Sequence, residues 1–258
     1  VVNPKSNNFL ASLHFAGTVG LSLLDISTGE FLIAEGDIEY TAKLLDNFSP
    51  NEVLITKENK KHFVKSYSDS FNLFFLDEWV FNLDYANELL KKQFEISSLK
   101  GFGIDDLNNG IISSSAIMHY LNETQHERLN HVTSIKRIPK EGHVWLDRFT
   151  IRNLELFRPN SVEGKCLIDV IDKTLSPMGG RLLKRWVALP SCDKEVIISR
   201  HNIVEFLISD EKTNDLIHNV ISKLSDIERL TSKLATKKIN PREIFSLKHS
   251  VELIENLK

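Results

Sequence analysis

The sequence predicts an α/β domain built on a mixed sheet, followed by an all-helical domain. Three observations carry this. As far as residue 94, strand-like apolar runs come first and then alternate with amphipathic segments, the succession of a mixed sheet with helices packed on its faces. Beyond Pro190 every apolar pattern has helical spacing. Between these regions, residues 125–143 are polar and charged, carry Pro139 and Gly142, and read as a connection. A chain of 258 residues suits one large domain or two smaller ones.

Val1 to Asn8 is polar, holds Pro4 and has no periodicity, so it reads as a linker or as the tail of a preceding element. Phe9–Phe15, Val19–Asp25 and Glu30–Ala34 form a β-meander, with Ser27-Thr28-Gly29 as its second turn. The alternation then continues as a helix over Ile38–Phe48, a buried strand at Glu52–Ile55 and a helix over Lys57–Tyr67. A strand at Leu73–Leu76 and a helix over Tyr85–Phe94 follow. Leu107, Ile111, Ile112, Ala116, Ile117 and Tyr120 share one helical face, so a long helix over Leu107–Thr124 should close the first domain.

The second domain is organised around Arg152 to Pro190. Val144–Phe149 reads as extended, as does Leu154–Phe157, which Arg158-Pro159-Asn160 closes. Leu167, Ile168, Val170 and Ile171 predict a helix with a broad apolar face. Ser176-Pro177 marks the next helix start, serine as cap and proline at the first helical position. Gly179 and Gly180 lie in its first turns, where each costs about 1 kcal/mol relative to alanine. Close approach by another backbone explains them better than phosphate binding, for no strand and glycine-rich loop precede the helix. Leu182, Leu183, Trp186 and Leu189 should face a core, with Arg181, Lys184 and Arg185 between them forming salt bridges to neighbouring helices. Asp193 caps a helix bearing Ile197, Ile198, Val204 and Leu207, and another covers Asp215–Leu224. Ser225 with Glu228, and Asn240 with Glu243, have capping-box spacing before the last two helices. The final helix still runs at Lys258, which is expected of an element cut short.

Composition narrows the function. Hydrophobic residues make up 41% and charged residues 26%, as in ordinary soluble domains. No apolar run approaches a membrane span and no signal peptide opens the chain, so a cytoplasmic protein with buried, reduced Cys166 and Cys192 is expected. Residues 1–110 hold 9 Lys/Arg against 16 Asp/Glu, whereas residues 111–258 hold 23 against 19. An acidic first half and a mildly basic second half argue against a free-standing DNA-binding module.

Catalytic patterns are absent. Gly164-Lys165 has no upstream glycine and precedes Cys166, so no phosphate-binding P-loop occurs. His119, His126 and His131 are not spaced as metal ligands and read as packing or surface residues. Asp25 ends a strand before a Ser-Thr-Gly turn, the kind of position where RNase-H-type nucleases hold a divalent metal. Asp77-Glu78 and Asp105-Asp106 are the carboxylates that would have to converge on it. A turn-forming aspartate bonding backbone amides is the favoured reading.

Four ordered segments carry a resemblance: Arg152-Asn153-Leu154-Glu155-Leu156; Thr174-Leu175-Ser176-Pro177-Met178-Gly179-Gly180-Arg181 with Leu183-Lys184-Arg185-Trp186; Asp226-Ile227-Glu228-Arg229-Leu230; and Asn240-Pro241-Arg242. They resemble the core, or lever, domain of the MutS family of DNA mismatch-recognition ATPases. Gly20-Leu21-Ser22-Leu23-Leu24-Asp25-Ile26-Ser27-Thr28-Gly29-Glu30-Phe31 is similar to the first hairpin of that family's RNase-H-like connector domain. The resemblance implies a connector at residues 1–126 and a core domain, truncated at its C-terminus, at 127–258. Its motif residues here are Arg152, Asn153, Leu154, Pro177, Met178, Gly179, Gly180, Arg181 and Trp186. It implies no catalytic, cofactor or metal site within this stretch and assigns no DNA-binding residue. The family's Phe-x-Glu mismatch motif occurs nowhere in the sequence. DNA contact, ATP and Mg²⁺ binding and homodimerisation are implied only for the whole protein, as is a partner, MutL, with a surface in residues 1–126. A transmitting and docking stretch of a mismatch repair protein is therefore expected, and the alternative is a metal-dependent nuclease using Asp25.

Overall fold

The computed structural model describes residues 3–67, 71–125 and 129–255. The chain divides into two compact units, one of residues 8–139 and the other of residues 140 onward together with the segment before Asn8.

In the first unit the strands are β1 (Phe9–Phe15), β2 (Val19–Asp25), β3 (Glu30–Gly36), β4 (Glu52–Thr56), β5 (Asn72–Leu76) and β6 (Lys136–Arg137). The helices are α1 (Ile38–Phe48), α2 (Lys60–Ser66), α3 (Leu83–Phe94) and α4 (Asn108–Gln125). The sheet has the order β5-β4-β1-β2-β3-β6. β1, β2 and β3 are antiparallel, while β4, β5 and β6 join in parallel pairs, which is the mixed sheet the element order predicts. All of β2 is buried, so both faces of the sheet are covered. α4 packs on one face, where Leu10, Leu24, Phe31, Ile33 and Leu54 meet Ile111, Ile117 and Met118. α1 lies against β2 and β3.

Local chemistry sets the boundaries. The Asp25 carbonyl accepts from the amides of Thr28 and Gly29, and Gly29 takes φ +77°, which is why glycine ends that turn. Asp37 caps α1 through the Tyr40 amide at 2.7 Å, and Asn82 caps α3. The first turn of α4 is satisfied by a carboxylate from the sheet. Glu35 accepts from the Asn109 and Gly110 amides at 2.8 and 3.1 Å.

α4 also approaches the sheet very closely. A Cβ on Gly20 would stand 2.0 Å from the Asn109 carbonyl, and one on Gly110 would stand 2.8 Å from the Ile33 side chain. The close backbone approach expected at Gly179 and Gly180 thus occurs in the other unit, at Gly20. Residues 129–139, within the stretch read as a connection, pack into this unit. Leu129, Val132, Ile135 and Ile138 are buried there, and the short β6 pairs with β3. Among the described residues, no helix is long and apolar enough to cross a membrane.

The second unit is helical, with α5 (Arg148–Asn153), α6 (Leu167–Ile171), α7 (Pro177–Ala188), α8 (Lys194–Ser209), α9 (Glu211–Ile221), α10 (Ile227–Ala235) and α11 (Pro241–Glu255). Several expectations are corrected here. The extended segments expected at Val144–Phe149 and Leu154–Phe157 are not formed: α5 starts at Arg148, where Asp147 caps the Thr150 amide at 2.7 Å, the chain before it is irregular, and residues 154–157 form a turn and bend. Leu154 closes that helix and Glu155 turns the chain at φ +48°. In α6 only Ile168 is buried, and Leu167, Val170 and Ile171 are exposed. α7 shows Leu182 and Trp186 at 45% and 40% exposure, while Arg181 is at 4%. The cap of α10 is Asp226 instead of Ser225, whose amide donates to Ser250 Oγ. Asn240 and Glu243 do form the expected reciprocal box, both bonds being 3.0 Å. Cys166 is buried as expected but Cys192 is exposed, and neither forms a disulfide.

Candidate functional site

The most elaborated polar site among the described residues lies in the helical unit and is centred on Arg181. Ser176 Oγ accepts from the Gly179 amide at 3.1 Å and Pro177 occupies the first turn, so α7 starts where the sequence predicts. That start fixes the face on which Arg181 sits. Its guanidinium forks onto Asp226, Nη1 to Oδ2 and Nη2 to Oδ1, both at 2.8 Å. Nη2 also donates to Glu228 Oε2, and Nη1 donates to the Pro4 carbonyl at 2.8 Å.

The segment before Asn8, expected to be a linker, is thereby the third wall of the site. Lys184 Nζ donates to Ser6 Oγ at 2.6 Å, and Arg229 Nη2 to the Ser6 carbonyl at 2.8 Å. The stem of Lys5 lies over Gly180, so that a Cβ there would meet Lys5 Cγ at 2.8 Å. The ammonium of Lys5 reaches Asp172 Oδ1 at 3.0 Å and the Thr174 carbonyl at 2.9 Å. Gly180 therefore makes room for a lysine side chain, where another backbone was expected.

The electrostatics follow from the geometry. Burial alone would lower the Arg181 pKa, but the bonds and charges of Asp226 and Glu228 raise it above the ordinary arginine value. Burial likewise pushes Asp226 up, and the Arg181 fork with the nearby Arg229 outweighs it, holding that carboxyl below the usual range. At Asp172 burial is outweighed by bonds from Thr174 and Lys5, which lower its pKa. Arg181 and Asp226 are thus held in their charged forms and bonded to each other, and Asp172 is held as a carboxylate by Lys5 and Thr174. Such a cluster fixes geometry and offers no proton or nucleophile for chemistry.

The other sequence motifs fall in different places. Arg152, Asn153 and Leu154 are exposed, and the backbone after them pairs with the start of α6: Leu167 N donates to the Glu155 carbonyl at 2.8 Å. Met178 is half-buried. Trp186 turns away from the Arg181 cluster and stacks under the Arg200 guanidinium, 3.7 Å from its ring centroid. The structure thus joins the Met178-Gly179-Gly180-Arg181 and Asp226-to-Leu230 segments in one cluster and leaves Arg152 to Leu154 and Trp186 outside it. The Pro4-to-Ser6 wall carries no periodic or motif signal, so only the tertiary structure brings it in.

Asp25 is fully buried at the end of β2, where Oδ1 accepts from the Ser27 amide and hydroxyl at 2.9 and 2.6 Å. Among the described residues no three His, Cys, Asp or Glu side chains are gathered as metal ligands. Asp25 therefore shapes the turn, and its geometry does not favour the nuclease alternative. His119 bonds the Tyr85 hydroxyl and His131 the Ile26 carbonyl, each at 2.8 Å. His126 lies outside the described residues.

Comparison with known proteins gives this arrangement a family. Residues 8–133 match the family model for MutS domain II, and residues 149–258 match that for MutS domain III. Over 259 residues the chain is 51% identical to the DNA mismatch repair protein MutS of Flavobacterium psychrophilum and 52% identical to that of Christiangramia forsetii. The Parabacteroides distasonis protein of the same name is 47% identical over 259 residues. Each alignment covers all of this chain and 30% of the relative, so the chain spans about a third of the length of the curated proteins it matches. With the mixed sheet under one family model and the Arg181-centred helical unit under the other, the chain belongs to the MutS family of DNA mismatch repair proteins, in which it spans domains II and III.

Proposed function

We infer that this stretch transmits conformational change between the DNA-binding and nucleotide-binding parts of a mismatch repair protein. In this reading the chain comprises a connector, expected over residues 1–126, and the first part of a lever, expected over 127–258, and the compact units that correspond to them divide at residues 7–8 and 139–140. The observation that carries this is the Arg181 cluster. It holds the Pro4-to-Ser6 segment to α7 and α10, and that segment runs directly into β1 of the other unit. The chain passes between the units twice, at residues 7–8 and 139–140. A rigid anchor at the first passage lets a shift of α7 and α10 reach the sheet through the backbone, as transmission between discrete packed arrangements requires.

In this reading DNA contact, ATP and Mg²⁺ binding and homodimerisation belong to parts of the longer protein outside the chain, which works in the cytoplasm. The exposed apolar side chains of α8 and α11, among them Phe206, Ile208 and Phe245, are covered by those parts. The first unit offers a surface to MutL, its acidity steering a basic partner. Surface plasmon resonance of the chain against MutL at two salt concentrations tests the docking role. Binding that weakens with salt supports it, and no binding by the folded chain removes it. Placing Arg181→Met in the full-length protein tests transmission. The reading expects mismatch affinity and basal ATPase to persist while mismatch-dependent control of the ATPase is lost. Unaltered control overturns it.

A further inference from the structure

The first unit carries an aromatic surface whose outer members, Trp79 and Phe74, stand outside its core and take no part in the Arg181 cluster. Trp79, in the single-turn helix Glu78–Val80, is 58% exposed, and Phe74 on β5 is 44% exposed. The Trp79 ring contacts Tyr85 on α3 at 5.4 Å and His119 on α4 at 5.1 Å, and the Tyr85 hydroxyl bonds His119 Nδ1 at 2.8 Å. The hydrogen bond and mutual packing hold the platform in place. One residue along α4, Tyr120 meets Phe74 at 4.8 Å. Tyr120 is also a wall of an open cleft of about 480 Å³ shared with Asn8, Asn51, Glu52 and Thr124. Platform and cleft therefore meet along α4, at the consecutive residues His119 and Tyr120.

Its charge is one-sided. The sequence has no Lys or Arg between Lys65 and Lys91, or between Lys100 and Arg128. The charged residues closest in sequence to the aromatics are Asp77, Glu78, Asp84, Glu88 and Glu123, all exposed, with Glu52 at the cleft, while Lys91 and Lys92 lie in the last turn of α3, away from Tyr85 in its first. Tyr120 reaches Glu52 Oε2 at 3.5 Å. Burial first, and then the charge of Glu123, raise the Tyr85 pKa, so this acidity is felt at the platform. A positive charge does stand near β5, Lys60 over the Phe75 ring at 5.7 Å, but successive strand residues point to opposite faces and Phe74 belongs to the other one.

Exposed Trp and Tyr are typical anchors of protein interfaces, and an arginine plane stacks well on an indole face. Nucleic acid bases stack on aromatics too, but such sites track the phosphate backbone with Lys and Arg, and the described residues that line the platform and cleft include neither. We propose that the Trp79–Tyr85–His119 platform and the adjoining Glu52 cleft bind an extended basic segment of a partner protein. One arginine stacks on Trp79 and a second cation enters the cleft beside Glu52. This deepens the docking reading of the first unit by naming a surface and the partner's chemistry.

The test uses the whole chain and a short peptide of alternating arginine and leucine, with the glutamate–leucine counterpart and oligothymidylate as comparison arms, followed by backbone amide shifts. The arginine peptide should shift residues 74–85 and 116–124 and weaken with salt. Trp79→Ala and Glu52→Gln should each lower its affinity by roughly tenfold, while Trp79→Phe retains most of it. Both sites are exposed, and circular dichroism verifies folding. The proposal is overturned if the arginine peptide does not bind, if it binds Trp79→Ala as well as the parent, or if the acidic peptide or the oligonucleotide gives the same shifts. MutL binding measured on the same variants separates the two readings. Its absence from the parent chain removes the MutL role without touching the peptide result.

Discussion

Replacing Arg181 by methionine removes the one side chain that touches three walls of the cluster at once. Four hydrogen bonds disappear: two to Asp226, one to Glu228 and one to the Pro4 carbonyl. Breaking a buried ion pair from one side costs about 3–5 kcal/mol, chiefly because the remaining charge is left without a partner. The remaining charges differ here. Glu228 is 52% exposed and can turn to water, while Asp226 is only 15% exposed but keeps Arg229 at 3.7 Å. The lower end of the range, about 3 kcal/mol, is therefore expected. Denaturant melts in a Trp79→Phe background, followed through Trp145 and Trp186 in the helical unit, measure it without assuming that the two units unfold together. pH sharpens the test. Arg181 holds the Asp226 pKa down, so in the parent that carboxylate stabilises the fold above the ordinary aspartate range, and the contribution is lost below about pH 4. Without Arg181 its bonds and charge no longer oppose burial, so the Asp226 pKa is higher than in the parent even with Arg229 retained, and the variant has less stability to lose as Asp226 takes up a proton. The deficit should shrink as the pH falls. A loss under about 1 kcal/mol at neutral pH, or a deficit that widens in acid, would refute the reasoning.

Other substitutions probe separate features. Gly20→Ala places a Cβ 2.0 Å from the Asn109 carbonyl, where backbone must move, so the α/β unit should lose about 3 kcal/mol or fail to fold, as read by circular dichroism melts. Gly180→Leu meets the Lys5 stem at 2.8 Å and should cost about 1–3 kcal/mol, and Lys5→Ala in the same chain should recover part of that loss if Lys5 is the obstacle. In the native protein Cys192 should react promptly with a thiol reagent, and Cys166 only on unfolding. Cys166 is buried, and burial with its bond to Asp169 raises its thiol pKa. Equal labelling rates would contradict these environments.

The α/β unit was legible because its signals are local. β1, β2 and α1 begin and end where apolar runs meet turn residues, and Asp37 caps α1 by its own side chain. What escaped was long-range. β6 is two residues long and pairs with β3 about a hundred positions earlier in the chain, so no periodicity marks it. Gly20 sits in an ordinary strand pattern, and only the α4 backbone packed against it makes glycine obligatory.

The helical unit shows the opposite failing, in which periodicity was right and the face was only partly right, Leu189 being buried and Leu183 half-buried. The spacing of Leu182, Leu183, Trp186 and Leu189 correctly gives a helix, but an apolar stripe says only that something covers it. Here Leu182 and Trp186 stay exposed while Arg181 turns inward. A buried arginine is stable there because Asp226 and Glu228 lie two residues apart at the start of α10, one capping that helix and both within reach of the same guanidinium. The charge pattern of Asp226-Ile227-Glu228-Arg229 is thus the complement of Arg181, 45 residues upstream in sequence. Two short motifs that look independent in the sequence are two halves of one site, and Pro4 to Ser6 is the part that neither motif discloses.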